Sequence, residues 1–206
     1  KASNISNIVL GKQQINIRTG WQKNRRQEFE DTLIIPEKYM SLQTFTGDII
    51  YYPFIKDGFE TAIGISTMLQ QNTNRGKNYI IPDFTSNTNG GFATIKKNFT
   101  SSTFNAGIRF DYRKMEWNTM IMQGDTIFMG NSRNFNALTG SLGMTHSFNE
   151  HLSLKFNAGK GFRSPSAPEL TSNGIHEGTF RYEIGNQNLN AETSLQIDLG
   201  MEYEVS

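Results

Sequence analysis

From Thr103 to Tyr112 the chain alternates without a break: Phe104, Ala106, Ile108, Phe110 and Tyr112 take one parity, and Thr103, Asn105, Gly107, Arg109 and Asp111 the other. A side-chain period of two sends these sets to opposite faces of a β-strand, one apolar and one polar. The last stretch repeats the pattern, with Leu195, Ile197, Leu199, Met201, Tyr203 and Val205 set against Ser194, Gln196, Asp198, Gly200, Glu202 and Glu204. Similar segments centre on Ile15 to Trp21, Phe59 to Leu69, Leu138 to Phe148 and Leu152 to Ala158. Phe45, Ile49 and Tyr51 mark another, and Phe92 to Asn98 a weaker one in which Ile95 breaks the apolar face. About eight antiparallel strands are expected.

The eight steps from Phe104 to Tyr112, at about 3.4 Å each and a tilt of about 40°, rise about 21 Å, close to the apolar band of about 25 Å around a transmembrane barrel. A soluble sandwich uses the same alternation, so the connections must decide. Short links fall at 53–58, 98–102 and 149–151, and long ones at 30–41, 73–83, 116–133 and 164–191. Strict alternation of short turns with long loops is a barrel habit, because the two rims of a membrane barrel face different compartments. The expected fold is all-β: an antiparallel transmembrane β-barrel wall, with residues 1–206 forming part of one barrel domain.

Composition agrees with this reading and removes other classes. No run approaches the roughly 18 apolar residues of a membrane helix, and the mean hydropathy of −0.51 does not exclude a barrel, because only alternate positions meet lipid. With no Cys in 206 residues there is neither a disulfide framework nor a thiolate centre. A net charge of +1 gives no electrostatic footprint for nucleic acid. The opening KASNISNIVL reads as the tail of an earlier strand, and the chain starts at Lys1 with no apolar targeting segment, the pattern of a mature or excised piece.

GFRSP at 161–165 and GNQNL at 185–189 resemble the FRAP and NPNL boxes of TonB-dependent outer-membrane receptors. The segments ending in RRQEFED at 31, NYIIPDF at 78–84, FATIKKNF at 92–99 and FNAGIRFDYR at 104–113 are similar to barrel segments of the iron-complex type found in Bacteroidetes-like bacteria. The resemblance implies a larger barrel of 22 strands, filled by an N-terminal plug that this stretch lacks. It also implies a cell outer membrane location in a Gram-negative bacterium, outer-membrane lipid around the wall, and energy from the TonB complex acting through the missing N-terminal part. The function so implied is uptake of an iron complex, siderophore or haem, or a similar nutrient, with no cofactor of the protein's own. Ser164 stands where the box has Ala, and Gln187 where it has Pro, which removes a fixed φ. The alternative reading is a small closed eight-stranded barrel serving as an adhesin or structural anchor.

In haem receptors of the resembled family a histidine between the two boxes can ligate iron, and His176 lies in that interval. Imidazole does bind haem iron, although a lone loop histidine is more often a hydrogen-bonded loop residue. Glu177, Arg181 and Tyr182 beside it, and Arg163 at the first box, complete the candidate substrate contacts; Arg163 and Glu169 are placed to pair across the loop. No enzyme is expected: His146 and Ser147 are adjacent on a strand, point to opposite faces and cannot act as base and nucleophile together. Three scattered His and no Cys give no spaced metal-ligand set. Arg25 and Arg26, followed at once by Glu28, Glu30 and Asp31, read as a strand extension meeting solvent or anionic lipopolysaccharide.

Overall fold

The computed structural model describes residues 1–29, 34–53, 58–122, 124–176 and 181–205. Its strands and one helix are β1 (Ala2–Leu10), β2 (Gln13–Glu28), β3 (Lys38–Tyr52), β4 (Phe59–Asn74), β5 (Phe84–Asn98), β6 (Ser102–Trp117), β7 (Met120–Met122), β8 (Asp125–Phe128), β9 (Asn131–Ser147), β10 (Leu152–Arg163), α1 (Ala167–Thr171), β11 (Asn173–His176), β12 (Arg181–Ile184) and β13 (Glu192–Tyr203). Nine of the strands form one sheet in the order β1-β2-β3-β4-β5-β6-β9-β10-β13, every pair antiparallel. The pairs β7-β8 and β11-β12 are small hairpins inserted in two of the long loops. Four long connections leave one end of the sheet, while short turns close the other, so the alternation of link lengths holds throughout.

The sheet has nine strands, one more than the alternation alone counts, because residues 2–10 pair with β2 as a strand of their own. Its pattern is hard to read for a physical reason: Asn4 and Ser6 share the outward parity of Ile8, while Ile5 and Val9 point the other way. Gly11 (φ 63°) makes the tight link to β2 that this pairing needs. β1 and β13 are the two edges, and they do not pair with each other.

Residues directly opposite in an antiparallel register share a face, which turns the strand patterns into one surface. Ile108 is flanked by Ala93 and Gly140, Phe110 by Gly91 and Leu138, and Leu142 by Ala106 and Ala158. This face leaves large aliphatics bare, with Ile65 60%, Leu142 61% and Leu199 75% exposed. An apolar surface of that extent is not stable in water and fits a hydrocarbon surround. Aromatics bracket it: Trp21, Phe45 and Tyr112 toward the long-loop end, Tyr51, Phe104 and Tyr203 toward the turns. Ile95 belongs to this outward face, together with Ala93, and Phe92 is the residue that turns inward, where its ring fills the space above Gly64.

The opposite face is polar across the same span, and then the polarity exchanges. Along β6 the outward residues run Phe104, Ala106, Ile108, Phe110, Tyr112 and then Lys114 and Glu116, which pair at 2.8 Å. The inward residues run Asn105, Gly107, Arg109, Asp111, Arg113 and then Met115 and Trp117, which are 0% and 3% exposed. Past Tyr112 the strand therefore stands in water on its outer side and in a protein core on its inner side. That core joins Met115, Trp117 and Phe135 to Ala167 and Leu170 of α1, so the loop after β10 folds back over the inner face of the wall.

Candidate ligand-contact region at the long-loop end

β10 ends at Arg163, whose guanidinium ties the start of the long loop to its end. Nη1 lies 2.9 Å from Glu169 of α1, and Nη2 lies 2.8 Å from Glu192 of β13. Glu169 does a second job as a cap, accepting from the Ser166 amide and hydroxyl at 2.8 Å each while its own amide donates to Ser166 Oγ at 3.4 Å. This is a capping box, with Pro168 in the first turn where its missing N–H costs nothing. The Ser166 backbone N–H, then the Ser166 hydroxyl and the Arg163 side chain, hold the Glu169 carboxyl down at about 2. A helix of five residues would not persist alone; the cap and the burial of Ala167 and Leu170 hold it in place.

The second box is fastened to the same structure. The Asn186 amide donates to Glu169 O at 2.8 Å, and Leu189 and Ala191 pack on the core cluster. Arg133 of β9 donates to the carbonyls of Gln187 and Leu189 and to Asn190 Oδ1. The restraint that proline would supply at Gln187 thus comes from a guanidinium on the wall. Ser164, the other departure, accepts from Arg113 Nη1 at 2.8 Å.

The β11-β12 hairpin projects from this base. His176 opposes Arg181 in its register, and Ile175 opposes Tyr182. Tyr182 is 61% exposed and donates to Asn173 Oδ1 at 2.6 Å. Three of the expected contact residues, His176, Arg181 and Tyr182, thus share one hairpin by backbone position; Glu177 lies outside the described residues. Arg163 stands apart in its ion triad, and its pairing with Glu169 is as expected.

A cavity of about 220 Å³ opens between the hairpin base and the wall, lined by Arg26, Glu28, Lys38, Tyr79, Ser172 and Glu183 among others. Lys38 is 7% exposed, donates to Ile175 O at 3.3 Å and lies 3.7 Å from Glu28, which itself pairs with Arg26 at 2.6 Å. The basic tract is therefore split by parity: Arg25 opposes Ser41 on the outer face, and Arg26 opposes Met40 on the inner. Extending the inward parity of Arg18 through Gln22 to Arg26 and Glu28 would have placed both at this cavity from sequence.

At the turn end His146 takes the outward parity, with Nδ1 2.8 Å from Ser102 Oγ and its ring edge-on to Phe148. Among the described residues no group of three His, Asp or Glu converges in a way that could hold a metal ion. No helix is long and apolar enough to cross a membrane, which leaves crossing by strands open.

The family model described as "TonB dependent receptor-like, beta-barrel" matches residues 12–206. No curated protein matches the sequence. Among solved structures, the copper transporter OprC superposes with a TM-score of 0.71 at 15% identity, over 94% of this chain and 35% of its own. The ferric yersiniabactin uptake receptor FyuA from Yersinia pestis gives 0.63 at 14% identity, over 97% of this chain and 32% of its own. The hemophore receptor HasR of Serratia marcescens, solved as a double mutant with its hemophore HasA and heme, gives 0.63 at 14% identity, over 92% and 36%. At these identities the likeness is one of fold, and the chain spans about a third of the length of each neighbour.

Proposed function

The chain belongs to the β-barrel family of TonB-dependent receptors, and from that premise we propose that it is a section of the wall of an outer-membrane receptor importing an iron complex, siderophore or haem. The supporting observation is the polarity exchange at Tyr112 and Arg113: a lipid-facing band topped by a water-exposed outer rim and an inner, loop-covered vestibule is the layout of an importer mouth. Haem and ferric yersiniabactin are named for two structural neighbours and copper for a third, which supports a metal-bearing cargo. In hydrocarbon the unpaired edges of β1 and β13 would each leave a row of N–H and C=O groups unsatisfied at several kcal/mol apiece, about the cost of an open edge in lipid. Further strands of the same receptor are the partners that complete the wall, a lumen-filling segment occupies its interior, and TonB supplies the energy. A closed eight-stranded adhesin is disfavoured by nine wall strands whose edges do not meet.

Cargo contact falls to His176, Arg181 and Tyr182 of the β11-β12 hairpin and to the cavity at its base, with Glu177 a further candidate by its place in the sequence. Arg163 acts by holding the loop closed against the wall. The test is uptake of radiolabelled ferric siderophores and haem by cells carrying the complete receptor, with and without TonB. TonB-dependent accumulation of at least one supports the reading, and accumulation of none removes it. For His176, haem titration of the purified receptor against His176→Ala decides: a fall in affinity with loss of the iron-imidazole absorption signature supports ligation, and an unchanged titration discards it.

A further inference from the structure

β10 carries one charge on its outward parity. From the turn end that parity runs Leu152, Leu154, Phe156, Ala158 and then Lys160, whose register partners are Gly140 of β9 and Leu195 of β13. The climb from Leu152 to Lys160 is about 21 Å at a tilt of about 40°, the same climb that takes β6 from Phe104 to Tyr112. Lys160 therefore stands at the upper rim of the apolar band. It is exposed and lines a depression of about 670 Å³ on the outward face. The floor is a zigzag of small side chains across four strands, Ala93, Ala106, Gly140 and Ala158, because the registers set Ala93 and Gly140 beside Ile108, and Ala106 and Ala158 beside Leu142. Toward the turns, past Ala106 and Leu142, the depression continues into a second one of about 370 Å³ bounded by Phe104, Met144 and Phe156. The two make one trough that starts at Lys160 and descends into the hydrocarbon level.

A lysine on a lipid-facing strand is tolerated near the interface, where its stem lies along apolar surface and its ammonium reaches the headgroups. An ammonium at that level is a compact point charge that attracts anionic headgroups. Beneath it the trough offers apolar surface without a protruding side chain along its floor. We propose that this trough is a lipid site on the outer wall: one acyl chain of a phosphorylated lipid of the outer leaflet descends over Ala158 and Ala106, and its headgroup phosphate sits on Lys160. Such a lipid carries both complements in one molecule, hydrocarbon for the trough and negative charge for its upper end. The assignment to the outer leaflet rests on the outer-membrane reading above; the trough and its lysine do not.

The test uses the complete receptor, reconstituted in phosphatidylethanolamine vesicles with a trace of lipid A that bears a photoreactive diazirine in one acyl chain. Cross-linked peptides are then mapped by mass spectrometry. Cross-links should concentrate on the segments of β6, β9 and β10 that line the trough, and should fall at least about fivefold in Lys160→Gln and with a probe stripped of its phosphates, while those elsewhere on the wall stay unchanged. Ala106→Phe, which fills the trough and leaves the lysine in place, should lower them as well. Both substitutions face lipid, and resistance to unfolding in cold dodecyl sulfate checks that the barrel has formed; the comparison of the two probes on the wild-type receptor needs no variant. Cross-links spread evenly over the wall, equal yields with and without the phosphates, or cross-linking of a second receptor copy across the trough would overturn the proposal. Phosphate-dependent labelling of the trough in a receptor that shows no TonB-dependent uptake would retain the site and remove the transport reading, and uptake with even labelling would do the reverse.

Discussion

At the scale of single residues, the outward face is defined by what surrounds each aliphatic. Ile108 stands 54% exposed between Ala93 and Gly140, so a guanidinium placed there meets lipid and has no acidic neighbour on its face. Ile108→Arg is expected to cost about 2–4 kcal/mol if the site lies near mid-bilayer, read as reduced folded yield in an outer-membrane assembly assay; full tolerance would mean the faces are reversed. On the inner face Gly90 is a steric seat, because a Cβ there would collide with Arg109 Nη2 and Asp111 Oδ1. Gly90→Ala should displace the guanidinium and lower the thermal midpoint of the barrel, whereas Gly91→Ala, whose added Cβ would meet only the Gly64 carbonyl oxygen at an ordinary 4.0 Å, should leave the midpoint unchanged. Parity alone placed Ile108, Arg109 and Asp111 correctly from the sequence. It misassigned the weight of Ile95 against Phe92, because a single strand cannot say which of two mixed faces meets lipid; the registers with β4 and β6 decide that.

Among the elements, α1 was the least legible. The signal was present as Ser166-Ala167-Pro168-Glu169, a capping box with an early proline, but inside a long polar loop the architecture alone gave it no place to pack. Packing on Met115, Trp117 and Phe135 supplies that place, and those three residues continue a parity that is polar lower on the same strands. Ser166→Ala is expected to destabilise the helix by about 0.5–2 kcal/mol, seen as faster amide exchange over residues 167–172 without loss of the barrel. Glu169 makes the same element pH-sensitive. Its carboxyl titrates at about 2 in the folded loop, below its ordinary 4.5, so its contribution is complete above the ordinary value and is lost as pH falls from there toward 2. Exchange in this segment, corrected for intrinsic rates, should therefore rise as pH falls from 5 toward about 2, and Glu169→Gln should remove that pH response. Exchange that stays flat in the wild-type protein over this range would show that the cap does not hold the helix.

For the whole molecule, link lengths and strand parity together carried the architecture, and this is why a barrel wall was readable in a chain of low mean hydropathy. The ninth strand was legible only as the tail of an earlier one, since β1 has polar residues on both faces, and the inner vestibule was not legible, because its residues come from β2, β3, β6, β9 and three loops brought together only by the sheet order. The central claim is that the wall faces hydrocarbon up to Tyr112 and that inside and outside exchange polarity just beyond it. The 206 residues contain no Cys, so in a form of the receptor freed of any cysteine elsewhere, single cysteines can be placed at successive positions from Phe104 to Trp117, reconstituted in lipid and spin-labelled. Collision rates with oxygen, which concentrates in lipid, and with a water-soluble nickel complex then report the surroundings of each position. The predicted result is a period of two, with oxygen favoured at 104, 106, 108, 110 and 112, the nickel complex favoured at 114 and 116, and neither reagent reaching 115 or 117. Nickel access along the whole outward parity, without the change after Tyr112, would contradict the account.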